Sequence, residues 1–97
     1  MIAETAHRLA ELCLAAGDHD GTTWAAMQGL KASPGDEALY RYRMLACHLA
    51  GNPAGIEAAM DELCAVVETL EPYDSLQSET LALYQRLSHK ERARRSP

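Results

Sequence analysis

Two stretches decide the fold: Cys13-Leu14-Ala15-Ala16-Gly17-Asp18 and Cys47-His48-Leu49-Ala50-Gly51-Asn52. Their glycines stand 51 − 17 = 34 residues apart, and the correspondence continues downstream, Ala25 against Ala59 and Leu30 against Cys64. Glycine just past a helix end adopts positive φ without a Cβ clash, and an Asp or Asn after it can cap the next helix. Each stretch therefore reads as the tight turn inside a helical hairpin. Two hairpins in register predict a short helical stack.

A 34-residue spacing is the period of tetratricopeptide-type helix-turn-helix repeats. Working outward, the first helix is predicted from Ile2 to Ala16, with Ala6, Leu9, Ala10, Cys13 and Ala16 on one face and Leu12 and Leu14 widening it. The second starts after Asp18 or Asp20 and runs through Trp24, Ala25, Met27 and Leu30 to Ala32. Gly29 weakens its interior by about 1 kcal/mol relative to Ala, or else admits a close helix crossing. In Ser33-Pro34-Gly35-Asp36 the serine and aspartate have capping-box spacing, and proline suits the first helical position.

The third helix runs to Ala50, burying Leu39, Met44, Leu45, Cys47 and Leu49 with parts of Tyr40 and Tyr42. Asn52 caps the fourth helix, whose stripe is Ile56, Ala59, Met60, Leu63, Cys64, Val67 and Leu70. Glu71-Pro72-Tyr73-Asp74 breaks the pattern. A shorter fifth helix ends near Ser88 and buries Leu81, Tyr84 and Leu87. The expected fold is all-α, tetratricopeptide-like, with about five helices in a right-handed stack. Such stacks usually need three repeats to bury a core, and this chain supplies two pairs and one helix.

Composition agrees with thin helical packing. Apolar residues make up 47% of the chain, but 17 of its 97 residues are alanine, none is phenylalanine and one is tryptophan. No apolar run reaches membrane-span length, and the N-terminus lacks a signal-peptide pattern, so a cytoplasmic protein is expected. The three cysteines (Cys13, Cys47, Cys64) form no C-x-x-C pair and read as small hydrophobes in a reducing compartment. Residues 1–89 carry five Lys/Arg against thirteen Asp/Glu, or −8, while residues 90–97 carry four against one, or +3. An acidic body repels phosphate backbones, which makes the chain a poor candidate for a nucleic-acid binder, and no direct nucleic-acid binding is expected. Residues 1–88 read as one domain and 89–97 as a basic tail or linker.

Catalytic and metal chemistry finds little support. Glu4-x-x-His7 has the spacing of a di-iron helix but lacks the second copy such a site needs. The neighbours Asp18, His19 and Asp20 cannot all face one ion. Cys47 and His48 point about 100° apart on a helix and cannot form a nucleophile–base pair. On a helix Tyr40-Arg41-Tyr42-Arg43 offers intrahelical pairing rather than a stacking strip for bases. We therefore expect no enzyme, no cofactor and no metal.

Residues 34–44, Pro-Gly-Asp-Glu-Ala-Leu-Tyr-Arg-Tyr-Arg-Met, resemble the bacterial transcriptional activator domain of Streptomyces antibiotic regulatory proteins and related actinobacterial regulators. The resemblance continues through Ala50-Gly51, Glu57-Ala58-Ala59 and Leu70-Glu71-Pro72. It ends in a Glu-Thr-x-x-Leu-Tyr-x-x-Leu helix at Glu79, Thr80, Leu83, Tyr84 and Leu87. What is matched looks like the C-terminal half of that domain; the winged helix usually found upstream has no counterpart here. The resemblance implies transcriptional control through protein contacts or self-association. The other reading is a tetratricopeptide scaffold at the cytosolic end of an envelope-associated actinobacterial protein.

Two surfaces follow from register. Tetratricopeptide-like stacks line a concave groove with the first helix of each pair, which gives Glu4, His7, Glu11, Leu14, Ala38, Arg41, Leu45 and His48 here. His7, Glu11, Arg41 and His48 are the candidate exposed polar positions for a protein partner. Leu9, Leu12 and Leu14 are the candidate self-association face of a homodimer, because one neighbouring helix cannot cover so apolar a first helix.

Overall fold

A computed structural model describes the backbone of residues 2–70 and 76–95 and the side chains of residues 2–67 and 76–89. The expected break at Glu71–Asp74 and the side chain of Leu70 lie outside the described residues. Five helices appear: α1 (Ala3–Ala15), α2 (His19–Ala32), α3 (Glu37–Leu49), α4 (Pro53–Leu70) and α5 (Ser78–Arg95). Each packs on the next, and α1, α3 and α5 also pack side by side. The result is a slab of 42 × 34 × 18 Å, about two helix diameters thick.

The two hairpin turns are built from the same bonds. Gly17 and Gly51 have φ of 76° and 70°. The Gly17 N–H bonds Leu14 O at 3.0 Å and the Asp18 N–H bonds Cys13 O at 2.8 Å; Gly51 to His48 and Asn52 to Cys47 repeat both distances. This double closure satisfies the last free carbonyls of each helix. Asp18 Oδ1 then accepts from the Gly21 N–H at 2.9 Å, and Asn52 Oδ1 from the Gly55 N–H at 3.1 Å. The repeat thus extends to a pair not singled out above, Gly21 and Gly55. A Cβ at either would press on Cys13 Sγ or Cys47 Sγ, at 2.9 and 2.6 Å.

The turn between hairpins differs from expectation. Pro34 and Gly35 lie in the turn, and α3 starts at Glu37 with Asp36 itself as the cap, accepting from the Ala38 N–H at 3.1 Å. Gly29 does admit a close crossing: a Cβ there would sit 2.5 Å from Ala6 Cβ and 2.7 Å from Leu39 Cδ1. Small residues let α1, α2 and α3 meet around Ala6, Ala26 and Leu39. A second core joins Tyr40, Met44, Ile56, Ala59, Met60, Leu63, Leu83 and Leu87 across α3, α4 and α5.

Several expected core residues face outward. Leu49 is exposed, because the face of α3 that meets its neighbours is filled by Leu39, Met44 and Ala46; on α2, Trp24 and Met27 are exposed and the contact face is built of Ala25, Ala26 and Gly29. Cys64 is exposed as well. On α5 the buried residues are Thr80, Leu83 and Leu87, whereas Leu81 is exposed and Tyr84 half-buried. The helix also continues past Ser88 to Arg95, so most of the segment read as a tail or linker is helical.

Candidate functional site: the cleft between α3 and α5

Three of the expected groove positions line an open cleft of ≈ 470 Å³ between α3 and α5. Ala38, Arg41, Tyr42 and Leu45 form one wall, spaced to share a face of α3. Glu79, Ala82, Leu83 and Arg86 form the other on α5. The floor is apolar and the rim carries two guanidiniums and one carboxylate. Arg86 is exposed and makes no hydrogen bond or ion pair among the described residues.

Hydrogen bonds set the width of this cleft at one end. Arg41 Nη1 donates to Gln77 Oε1 at 2.8 Å and to Thr80 Oγ1 at 2.9 Å. One turn earlier on α3, Glu37 Oε1 accepts from the Gln77 backbone N–H at 2.9 Å. The acidic–basic pair Glu37 and Arg41 therefore grips the first turn of α5. Toward α4, the Arg43 guanidinium pairs with the exposed Glu62 and lies 5.4 Å from the centre of the Tyr40 ring. Tyr84 donates its hydroxyl to Glu57 Oε2 at 2.6 Å, joining α5 to α4.

Between α1 and α3, His7 reaches across the expected groove positions. His7 Nε2 lies 2.7 Å from Asp36 Oδ2, and the His7 ring packs at a tilt against Tyr42 with centroids 6.3 Å apart. Only Glu11 of the four candidate polar residues is exposed; His7, Arg41 and His48 are half-buried. His7 and Arg41 hold helices together rather than standing free, and His48, in the last turn of α3, is not among the cleft walls. Tyr40-Arg41-Tyr42-Arg43 pairs mainly between helices, beyond the intrahelical contact of Arg43 with Tyr40. Glu79, Ala82 and Arg86 were not anticipated, although their spacing on one helix face (82 − 79 = 3, 86 − 82 = 4) was visible in the sequence.

Ionisation in and near the cleft is shaped by burial. Burial, then the Glu11 charge, pushes the Tyr42 phenol above its ordinary value, against the lowering pull of Arg41. Burial likewise raises the Cys47 thiol, which keeps it a weak nucleophile. Among the described residues, no group of three or more His, Cys, Asp or Glu is placed to hold a metal ion, and no helix is long and apolar enough to cross a membrane.

Leu12 is exposed and Leu9 half-buried, and both line a shallow hollow along α1 with Glu4, Thr5 and Arg8. Leu14 is not part of it. No family model, curated protein or solved structure matches the chain.

Proposed function

We propose that this chain is a protein-interaction and oligomerisation module of a bacterial transcriptional regulator, working by contact rather than catalysis and without touching DNA itself. One observation carries the reading. The two stretches that bear the resemblance, residues 34–44 and 79–87, are far apart in sequence yet meet along α3 and α5 and frame the cleft. The helix order supports a tetratricopeptide-like, right-handed stack, with α1, α3 and α5 on one layer and α2 and α4 on the other. A partner segment lying in the cleft would set apolar side chains over Leu45 and Leu83 and a carboxylate against Arg86.

A one-hybrid experiment tests this. The chain is fused to a heterologous DNA-binding domain in an actinobacterial host, and transcription from the cognate promoter is measured. The fusion should change transcription, and Ala82→Glu or Arg86→Glu, both at exposed positions, should abolish the change. A silent fusion, or one indifferent to both substitutions, rejects the cleft as a regulatory contact.

A further inference from the structure

The fifth helix outruns its neighbours. α3 and α5 run in the same direction: Glu37 bonds Gln77 and, one turn on, Arg41 bonds Thr80, offsets of 77 − 37 = 40 and 80 − 41 = 39. That offset sets Leu49, the last residue of α3, level with residue 88 (49 + 39). α4 doubles back from α3, and the bond from Tyr84 to Glu57 sets its first residue, Pro53, at the same level (84 + 57 − 53 = 88). α5 continues to Arg95, so its last two turns extend about 10 Å past both neighbours.

The face of α5 that walls the cleft continues onto this overhang with one sign of charge. Three and four residues on from Arg86 stand His89 and Lys90, and after them Ala93 and Arg94, with no Asp or Glu among them. Arg86, Lys90 and Arg94 thus mark one line of α5 at steps of four. Glu79, the acid on the cleft wall, lies seven residues before Arg86 (86 − 79), two turns or about 10 Å away, too far to pair with it. Arg86 is exposed and bonds nothing among the described residues. On the facing wall the line through Tyr42 and Leu45 ends at Leu49, which is 47% exposed where the overhang begins. An apolar floor therefore leads onto a basic line, on a chain whose residues 1–89 sum to −8.

We propose that the cleft and the overhang together take an acidic amphipathic helix of a partner protein. Its apolar stripe lies over Leu45, Leu49 and Leu83, and its carboxylates, at four-residue steps, follow Arg86, Lys90 and Arg94. The proposal rests on the reading of the cleft as a protein contact and specifies the chemistry of the partner. Two helical walls of like spacing leave a groove that a third helix can follow, and Ala38 and Ala82 let its backbone come close. Carboxylates answer guanidinium groups with charge-assisted bonds, and the basic line steers an acidic segment past a body that would otherwise repel it. Nucleic acid shares the negative charge, but it has no use for a leucine floor and would meet the same repulsion over a wider area.

Fluorescence anisotropy tests this with the full chain and two labelled synthetic helices that share one leucine stripe. One helix carries glutamate at four-residue steps beside the stripe, the other lysine at the same places, and a short DNA duplex is the third probe. The glutamate helix should bind at least about tenfold more tightly than either other probe and weaken as salt rises from about 0.1 to 0.5 M. The double variant Lys90→Glu with Arg94→Glu should keep its far-ultraviolet dichroism, lose at least about tenfold in affinity for the glutamate helix and favour the lysine helix. Binding of none of the probes, tighter binding of the duplex, or a double variant that keeps the original preference overturns the proposal. Equal binding of both helices that Ala82→Glu abolishes overturns the acidity of the partner and leaves the cleft standing as a protein contact. A preference for the glutamate helix that Ala82→Glu leaves intact overturns the cleft as its seat.

Discussion

The Arg41 guanidinium holds the start of α5 from the middle of α3, one nitrogen serving both Gln77 Oε1 and the buried Thr80 Oγ1. Arg41→Ala leaves Thr80 buried with a lost partner and should destabilise the fold by about 1–3 kcal/mol in urea titration. Hydrogen exchange should locate the effect: amides of α5 exchange faster, while those of α1 and α2 are unchanged. Equal acceleration in all five helices would show that α5 is not separately held.

Gly29 sets two opposing effects against each other. Alanine there should gain up to about 1 kcal/mol of helix propensity. Its Cβ, however, would have to enter space 2.5 Å from Ala6 Cβ and 2.7 Å from Leu39 Cδ1. Overpacking of that kind costs about 1–3 kcal/mol, so Gly29→Ala should be net destabilising. Adding Ala6→Gly should recover part of the loss. A more stable single variant would mean that the helices separate freely at this crossing.

High pH should weaken the protein through its tyrosines. The bond from Tyr84 to the Glu57 carboxylate, followed by burial, holds that phenol above its ordinary 10.0, and burial does the same for Tyr40 and Tyr42. A group whose pKa is raised by folding stabilises the native state fully below its unfolded value and loses that contribution as pH rises through its folded value. Stability should therefore hold to about pH 9.5 as far as tyrosines are concerned and fall above pH 10. Tyr84→Phe should be less stable by about 0.5–1 kcal/mol near neutrality and show a shallower alkaline decline. An unchanged decline would place the titrating group elsewhere.

Thiol chemistry should rank the cysteines by position. Cys64 is exposed on α4, while Cys13 and Cys47 are half-buried against the glycines that open each hairpin's second helix. Burial also raises the Cys47 thiol. A disulfide reagent at neutral pH should modify one cysteine quickly, identified as Cys64 by mass spectrometry, with Cys47 slower. Cys47 reacting first would show that the second turn opens readily.

The hairpin turns were legible because their signal is local and chemical: a glycine at positive φ and a carboxylate or amide three residues before an N–H. The register of α5 was not. Its leucines at 81, 83 and 87 offer two plausible stripes, and the residue that decides between them, Thr80, is buried for a hydrogen bond from Arg41 that no hydrophobic period can announce. The same blindness hid the roles of His7 and Arg41. Both read as solvent-facing polar positions, and both instead reach partners 29 to 39 residues away. Nothing in the helical period told which way Trp24 faces; it is exposed, and Thr22, Ala25, Ala26 and Gly29 fill the tight contacts of α2.

Asp36 divides one carboxylate between two tasks, Oδ1 accepting from the Ala38 N–H and Oδ2 meeting His7. The linker from Ser33 to Asp36 is thereby tied at its last residue both to the helix it starts and to the first hairpin. Its length is consequently fixed: adding or deleting one residue would move the cap and break the tie together. Asparagine could keep the cap while offering His7 an amide in place of an oxygen, and serine could keep the cap while falling short of His7. Of these three side chains only aspartate offers an oxygen to both partners, in a turn that is otherwise open to solvent.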